Sequence, residues 1–211
     1  MKHAIVTGYS SGIGKAISEE LSKSNYKVIK LKTRLDNIKE LEIEVKDIIS
    51  IYDIDLLVNC AGVGIFQPHE EIGLLKIKEL IDINLTAPII LSKLVLRSLK
   101  KTQGSIINIS SIEATKHSKF SALYTATKSG LRDFSLCLFE ELRKSGVRVC
   151  SINPDMTRTN FFDNLQFEPS KKEDTFLLPE TIAKTVIDVL NTNGVITDIT
   201  LRPQKFDIRK K

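Results

Sequence analysis

The sequence predicts an α/β fold: a doubly wound parallel sheet of about seven strands with helices on both faces. Three observations lead there. Strand-like and helix-like stretches alternate, with no linker, repeat or low-complexity tract between them. A glycine-rich turn follows the first strand at once and opens a helix. The candidate functional residues fall just past the carboxyl ends of several predicted strands, where open α/β sheets bind ligands.

In chain order, Lys2-His3-Ala4-Ile5-Val6-Thr7 reads as a short, mostly apolar strand. Residues 12–24 follow as a helix that carries Ala16, Ile17 and Leu21 on one face. Further strands are predicted at 27–32, 41–45, 54–59, 104–110, 147–152 and 195–201. Further helices are predicted at 70–82, 85–101, 121–144 and 179–191, with a short one near 47–52. Pro88 and Pro179 fall near helix starts, where a missing N–H does no harm. Gly146 is placed to end the long helix. Residues 1–211 are expected to form one domain.

The turn Gly8-Tyr9-Ser10-Ser11-Gly12-Ile13-Gly14 has the strand–turn–helix context of a dinucleotide site. Glycines let the backbone turn tightly and let a pyrophosphate approach, and the helix start offers unpaired N–H groups. The spacing is Gly-x-x-x-Gly-x-Gly, and taken alone it reads equally as a loop opening a helix. A second pattern stands at Tyr124-Thr125-Ala126-Thr127-Lys128, with Ser111 upstream. Residues four apart on a helix share a face. A phenol titrates near 10, and a cation beside it favours the phenolate. A nearby serine hydroxyl can hydrogen-bond the oxygen that the tyrosine protonates, so the set suits carbonyl reduction.

Taken together these motifs resemble the short-chain dehydrogenase/reductase family in its classical branch, from Lys2 to about Pro203. Thr7-Gly8 through Gly14 resembles the family's cofactor turn, and Asn59-Cys60-Ala61-Gly62 its Asn-Asn-Ala-Gly element. Asn84, Ser111, Tyr124 and Lys128 fall where the family keeps its catalytic tetrad. Asn153-Pro154 and Thr159 resemble its segment beside the nicotinamide. The resemblance implies a Rossmann-like fold. It makes Tyr124 the general acid, with Ser111 orienting the carbonyl. Lys128 would lower the Tyr124 pKa and bind the nicotinamide ribose, and Asn84 would hold a proton-relaying water. Two departures stand out: Cys60 replaces an Asn, and Asp155 replaces the Gly after Pro154. The chain is also short, with too few residues between Arg34 and Leu41 for the family's usual helix.

The implied cofactor site comprises Gly8, Tyr9, Ser10, Ser11, Gly12, Ile13 and Gly14 at the glycine turn. Asn59, Ala61 and Gly62 join it, with Tyr124, Lys128, Pro154, Asp155, Met156, Thr157 and Thr159 around the nicotinamide. Lys32 occupies the position of the acid that selects NAD(H), followed by Thr33 and Arg34, which favours NADP(H) over NAD(H). Glu44 falls where the family often has an Asp beside the adenine. A substrate lid is expected over 156–178, where Phe161, Phe162, Phe167 and Phe176 stand among charges. A helix packed on the sheet edge is the other reading of that stretch. Glu113 and Lys116 hint at a polar substrate.

Composition narrows the partners. The net charge of +5 comes with no nucleic-acid recognition motif, and no apolar run reaches the roughly 18 residues of a membrane span. Cys60, Cys137 and Cys150 are scattered, as expected of free thiols in the cytoplasm, and the three histidines show no metal-ligand spacing. The opening Met1-Lys2-His3 enters a strand directly, leaving no room for a signal peptide. A homodimer or homotetramer is implied by the family, through 85–101 and 121–144, where Leu131, Phe134 and Leu138 serve either an interface or the core. The leading function is an NADP(H)-dependent reductase or dehydrogenase acting on a small-molecule carbonyl or alcohol. An NADP(H)-sensing regulator without turnover is the alternative, and an epimerase or dehydratase ranks last.

Overall fold

The computed structural model describes residues 1–211. Its main sheet has six strands in the order β2–β1–β3–β4–β5–β7, every pair parallel. These are β1 (Lys2–Val6), β2 (Tyr26–Ile29), β3 (Leu56–Asn59), β4 (Ser105–Ile109), β5 (Arg148–Pro154) and β7 (Asp198–Leu201). The helices are α1 (Gly12–Lys23), α2 (Ile38–Ile51), α3 (Leu74–Ile81), α4 (Ala87–Thr102), α5 (Ala122–Leu142) and α6 (Pro179–Asn191). A small antiparallel ribbon pairs β6 (Phe167–Pro169) with β8 (Ile208–Lys210).

Alternate strand residues feed two cores. Ala4, Val6 and Val58 pack with Ile17 and Leu21 of α1 and Ile182 and Val186 of α6. Ile5 and Leu57 face the other way, onto Leu41 and Val45 of α2 and Leu91, Val95 and Leu99 of α4. Burying one such side chain is worth about 1.5–3 kcal/mol. Leu131 and Leu138 of α5 are buried within the subunit, and Phe134 packs against the second core, so these three serve the interior.

The predicted strand at 41–45 and short helix near 47–52 are instead one helix, α2. Leu-Glu-Ile-Glu-Val alternates like a strand, but Leu41, Val45 and Ile48 also fit helical spacing. Leu41 and Val45 are fully buried whereas Ile43, the middle apolar residue of the alternation, is 61% exposed. Asn37 caps this helix by accepting the Glu40 N–H. The sheet therefore ends at β2, which accounts for six strands rather than seven.

The helices predicted at 70–82 and 85–101 run together through a π turn at Asp82–Thr86. Pro88 supplies no N–H to the Asn84 carbonyl, and the ladder widens there, with the Ala87 N–H reaching the Asp82 carbonyl. No helix is long and apolar enough to cross a membrane.

Candidate active site

The chain moves to opposite sides of β1 when it forms β2 and β3, which opens a crevice at the carboxyl ends of β1 and β3. The glycine turn stands at its mouth. Gly8 has φ +70°, and a Cβ there would lie 3.0 Å from the Ala61 Cα. A Cβ on Gly14 would sit 2.2 Å from the Gly8 carbonyl oxygen, so only glycine allows this turn to close on the helix start. Thr7 Oγ1 accepts the N–H groups of Cys60 at 2.9 Å and Ala61 at 3.0 Å, tying the ends of β1 and β3 together. Helix α1 begins after Ser11 with no side-chain cap and no acid in its first turn. Its leading N–H groups and exposed Gly8, Ser10 and Ser11 fit a pyrophosphate. Gly12 faces the Thr159 side chain across the crevice, 3.2 Å from where its Cβ would be. Tyr9 lies under Lys30, whose Nζ is 5.3 Å from the ring. Asn59, buried at the end of β3, gives its Nδ2 to Asn108 and leaves Oδ1 as a buried acceptor without a partner. The residues present thus fit a dinucleotide.

Deeper in, four residues from separate elements converge. Tyr124 is buried, with Ser111 near enough to its phenol to lower its pKa, while the Ser111 Oγ accepts the Glu113 N–H at 3.2 Å. Lys128, one helical turn on, is also buried, with Nζ 6.0 Å from the Tyr124 ring centre and donating to the Ile109 carbonyl at 2.9 Å. Gly62 leaves room for both Lys128 Nζ and Asn84 Oδ1, each 3.3 Å from where a Cβ would be. Asn84, fully buried in the π turn, exchanges two 2.9 Å hydrogen bonds with the Val63 backbone and donates to Thr127. Its side chain therefore braces the turn after β3 against α5.

The electrostatics differ from the sequence expectation. Burial brings the Lys128 ammonium down to about 8. Burial also pushes the Tyr124 phenol up to about 12, against nearby Ser111, which lowers it. Lys128 has no part in this shift; the Glu113 charge adds to the rise, and aromatic rings roof the phenol. Phe66 lies 5.1 Å from the Tyr124 ring and Phe161 5.9 Å, and Phe162 and Phe167 complete the cluster. Phe161 presses on Gly64, its Cζ 2.4 Å from where a Cβ would be.

The 156–178 segment is neither a long helix nor a helix packed on the sheet edge. It holds a short 3-10 turn at Asn160–Phe162 and the strand β6, which β8 covers. Phe176 lies apart from the cluster, under the Arg158 guanidinium at 3.5 Å. Glu113 accepts from Ser118 and pairs with Lys116 at 3.2 Å, so both charges brace their own loop. A cavity of about 300 Å³ opens beside this loop, lined by Gln67, His69, Ile72, Phe120 and Leu123.

Just past β5, the buried Asp155 carboxylate already has partners within the chain. It pairs with Arg202 at 3.0 Å and accepts the Met156 N–H at 2.9 Å. Pro154 ends β5, the Thr157 hydroxyl bonds the Asp155 carbonyl, and Thr159 caps the 3-10 turn. At the adenosine end, Lys32 is exposed and Arg34 pairs with Asp36 at 2.8 Å. Glu44 stands on a helix, not after a strand, and its carboxylate receives the N–H groups of Lys32 and Thr33. Burial raises its pKa, but those N–H groups prevail and hold it below the usual range. No cluster of His, Cys, Asp or Glu has the makings of a metal site. Sequence reasoning missed Phe66, Gly64 and Arg202, whose roles depend on tertiary neighbours with no local spacing to announce them.

The family model for short chain dehydrogenase matches residues 2–52 and 45–169. An uncharacterized oxidoreductase of Staphylococcus saprophyticus is 30% identical over 96% of this chain and 97% of its own. A 3-oxoacyl-[acyl-carrier-protein] reductase of Buchnera aphidicola is 31% identical over 81% of this chain and 80% of its own. Among solved structures, an alcohol dehydrogenase from the archaeon Thermococcus sibiricus complexed with 5-hydroxy-NADP superposes with a TM-score of 0.86 at 24% identity, covering 97% of both chains. A 4-hydroxyisoleucine dehydrogenase complexed with NADH gives 0.84 at 23% identity, over 96% of this chain and 98% of that one. The fold agrees with those structures, and the match to the family model over most of its length makes this chain a member of the short-chain dehydrogenase family.

Proposed function

We propose that the protein moves hydride between NADP(H) and a small-molecule carbonyl or secondary alcohol, with Tyr124 as general acid and base. One observation carries this: a buried phenol with Ser111 beside it, one helical turn from buried Lys128, at the crevice on the sheet's carboxyl edge. The bound nicotinamide would supply or accept the hydride. The chain manages the proton. Burial keeps Tyr124 protonated at neutral pH, the form that gives a proton to a carbonyl oxygen. The Ser111 hydroxyl orients that oxygen and, with the Lys128 cation, steadies the phenolate left behind. In the reverse direction the phenolate takes the alcohol proton. Asn84 keeps Gly62 and Lys128 in register through Val63 and Thr127.

The preference for NADP(H) is supported by Lys32, Thr33 and Arg34 beyond β2, with no acid at the strand end. Solved relatives of the same fold carry 5-hydroxy-NADP in one case and NADH in another, so the choice rests on this chain's own residues. NADPH is expected to show the lower KM when both cofactors are compared over a carbonyl panel, and a clear preference for NADH would overturn that choice. NADPH binding without turnover over a broad panel would support the sensing regulator instead. A single domain with residues 156–178 as the substrate lid belongs to the same reading, supported by the aromatic cluster over Tyr124. So do a cytoplasmic location, supported by three unpaired cysteines, and a homodimer or homotetramer through α4 and α5. A monomer by light scattering would remove the oligomer.

A further inference from the structure

Beyond β2 the chain turns through Lys32 and Thr33, and two successive backbone N–H groups point at one carboxylate. The Lys32 N–H donates to Glu44 Oε1 at 2.7 Å and the Thr33 N–H to Oε2 at 2.9 Å. Adjacent N–H groups aimed at one anion form a nest, a receptor for carboxylate or phosphate. Glu44 reaches it from α2, whose placement is fixed by the fully buried Leu41 and Val45 on either side. Glu44 makes no ion pair: its carboxylate leans on the two backbone donors, while Lys32 points to solvent and Arg34 is engaged by Asp36. Lys30 over Tyr9 joins this turn to the glycine turn.

We propose that Glu44 is a resident anion in this nest, which the cofactor's 2′-phosphate must displace, and that Glu44 thereby sets the discrimination between phosphorylated and unphosphorylated cofactor. The inference rests on the reading that the turn after β2 receives the adenosine end. Two anions cannot share one pair of N–H donors without strong repulsion. A phosphate monoester carries the larger charge and can draw more strongly on Lys32 and Arg34, with neither of which Glu44 forms an ion pair, although the Lys32 charge already favours its carboxylate. An unphosphorylated ribose asks for no displacement, since its hydroxyls donate to the carboxylate where it stands. Glu44 thus opposes the basic residues that attract the phosphate, and the preference is their difference.

The test is calorimetric binding of adenosine 2′,5′-bisphosphate and of 5′-AMP to the full chain, with no turnover involved. Glu44→Gln removes the charge and turns one of the two acceptor atoms into a donor, and Glu44→Ala empties the nest. Both are expected to tighten the bisphosphate by about tenfold relative to 5′-AMP, one hydrogen bond's worth of competition. Glu42→Gln removes the same charge from a half-buried neighbour on α2, paired there with Lys46, and is expected to leave the ratio unchanged. An unchanged or reduced ratio in both Glu44 variants, or an equal rise in Glu42→Gln, would overturn the proposal. Wild type that binds neither ligand would overturn the reading of the site, and this inference with it.

Discussion

The proposed mechanism needs Lys128 charged, yet that residue is packed where charge is disfavoured. Its ammonium is brought from 10.5 down to about 8 by burial. Below pH 8 the folded protein holds a buried cation, and the penalty is fully present. Between about 8 and 10.5 the unfolded chain binds more protons than the folded one, so stability rises with pH across that window. Replacing Lys128 by Met is therefore expected to raise stability at pH 7 by about 1–3 kcal/mol while abolishing turnover. The gain should fade by about pH 10.5. Thermal melts across pH check this, and a loss of stability at pH 7 would contradict it. Tyr124 acts in the opposite sense: raised from 10.0 to about 12, it makes stability fall as pH rises between those values. At this scale Ser111, Tyr124 and Lys128 were legible because helix spacing and strand ends fix which groups meet. The aromatic roof was not, since no residue near Phe66 or Phe161 records that the two rings face one phenol.

Among the elements, the loop after β5 shows how a departure from the family is absorbed. Where the family has Gly, Asp155 turns inward, with Arg202 from beyond β7 as its partner. Asp155→Ala would strip both Arg202 and the Met156 N–H of an acceptor, with an expected loss of about 1–2 kcal/mol. A melting temperature equal to wild type would contradict that role. Helix α2 teaches the converse lesson. Its alternation of apolar and acidic residues satisfies a strand period and a helix period at once, and the burial of Leu41 and Val45 against exposed Ile43 settles it. The π turn at Asn84 was only half legible: Pro88 marked a helix start, but its missing N–H instead widens a continuous helix. The β6–β8 ribbon was not legible, because three-residue strands carry too little pattern.

For the molecule as a whole, the doubly wound parallel sheet was the most legible property. Strands buried on both faces and separated by amphipathic helices allow few topologies. The missing outer strand leaves β2 as the edge, so α2 comes down directly beside the turn that would hold the adenosine end. In this shortened family member a helix thus brings the Glu44 carboxylate to that turn. At the opposite side, β8 and the Lys211 ammonium, which reaches the Phe162 and Asp163 carbonyls, hold the aromatic segment over Tyr124. Cradle, phenol and roof together support the proposed reductase, in which the proton would come from Tyr124.

The measurement that bears on this most directly is NADPH oxidation with a carbonyl panel by wild type and Tyr124→Phe, with NADPH binding measured on both. Turnover by wild type, lost by at least about a hundredfold in Tyr124→Phe with binding intact, is the predicted result. Equal turnover in the two proteins would contradict the account.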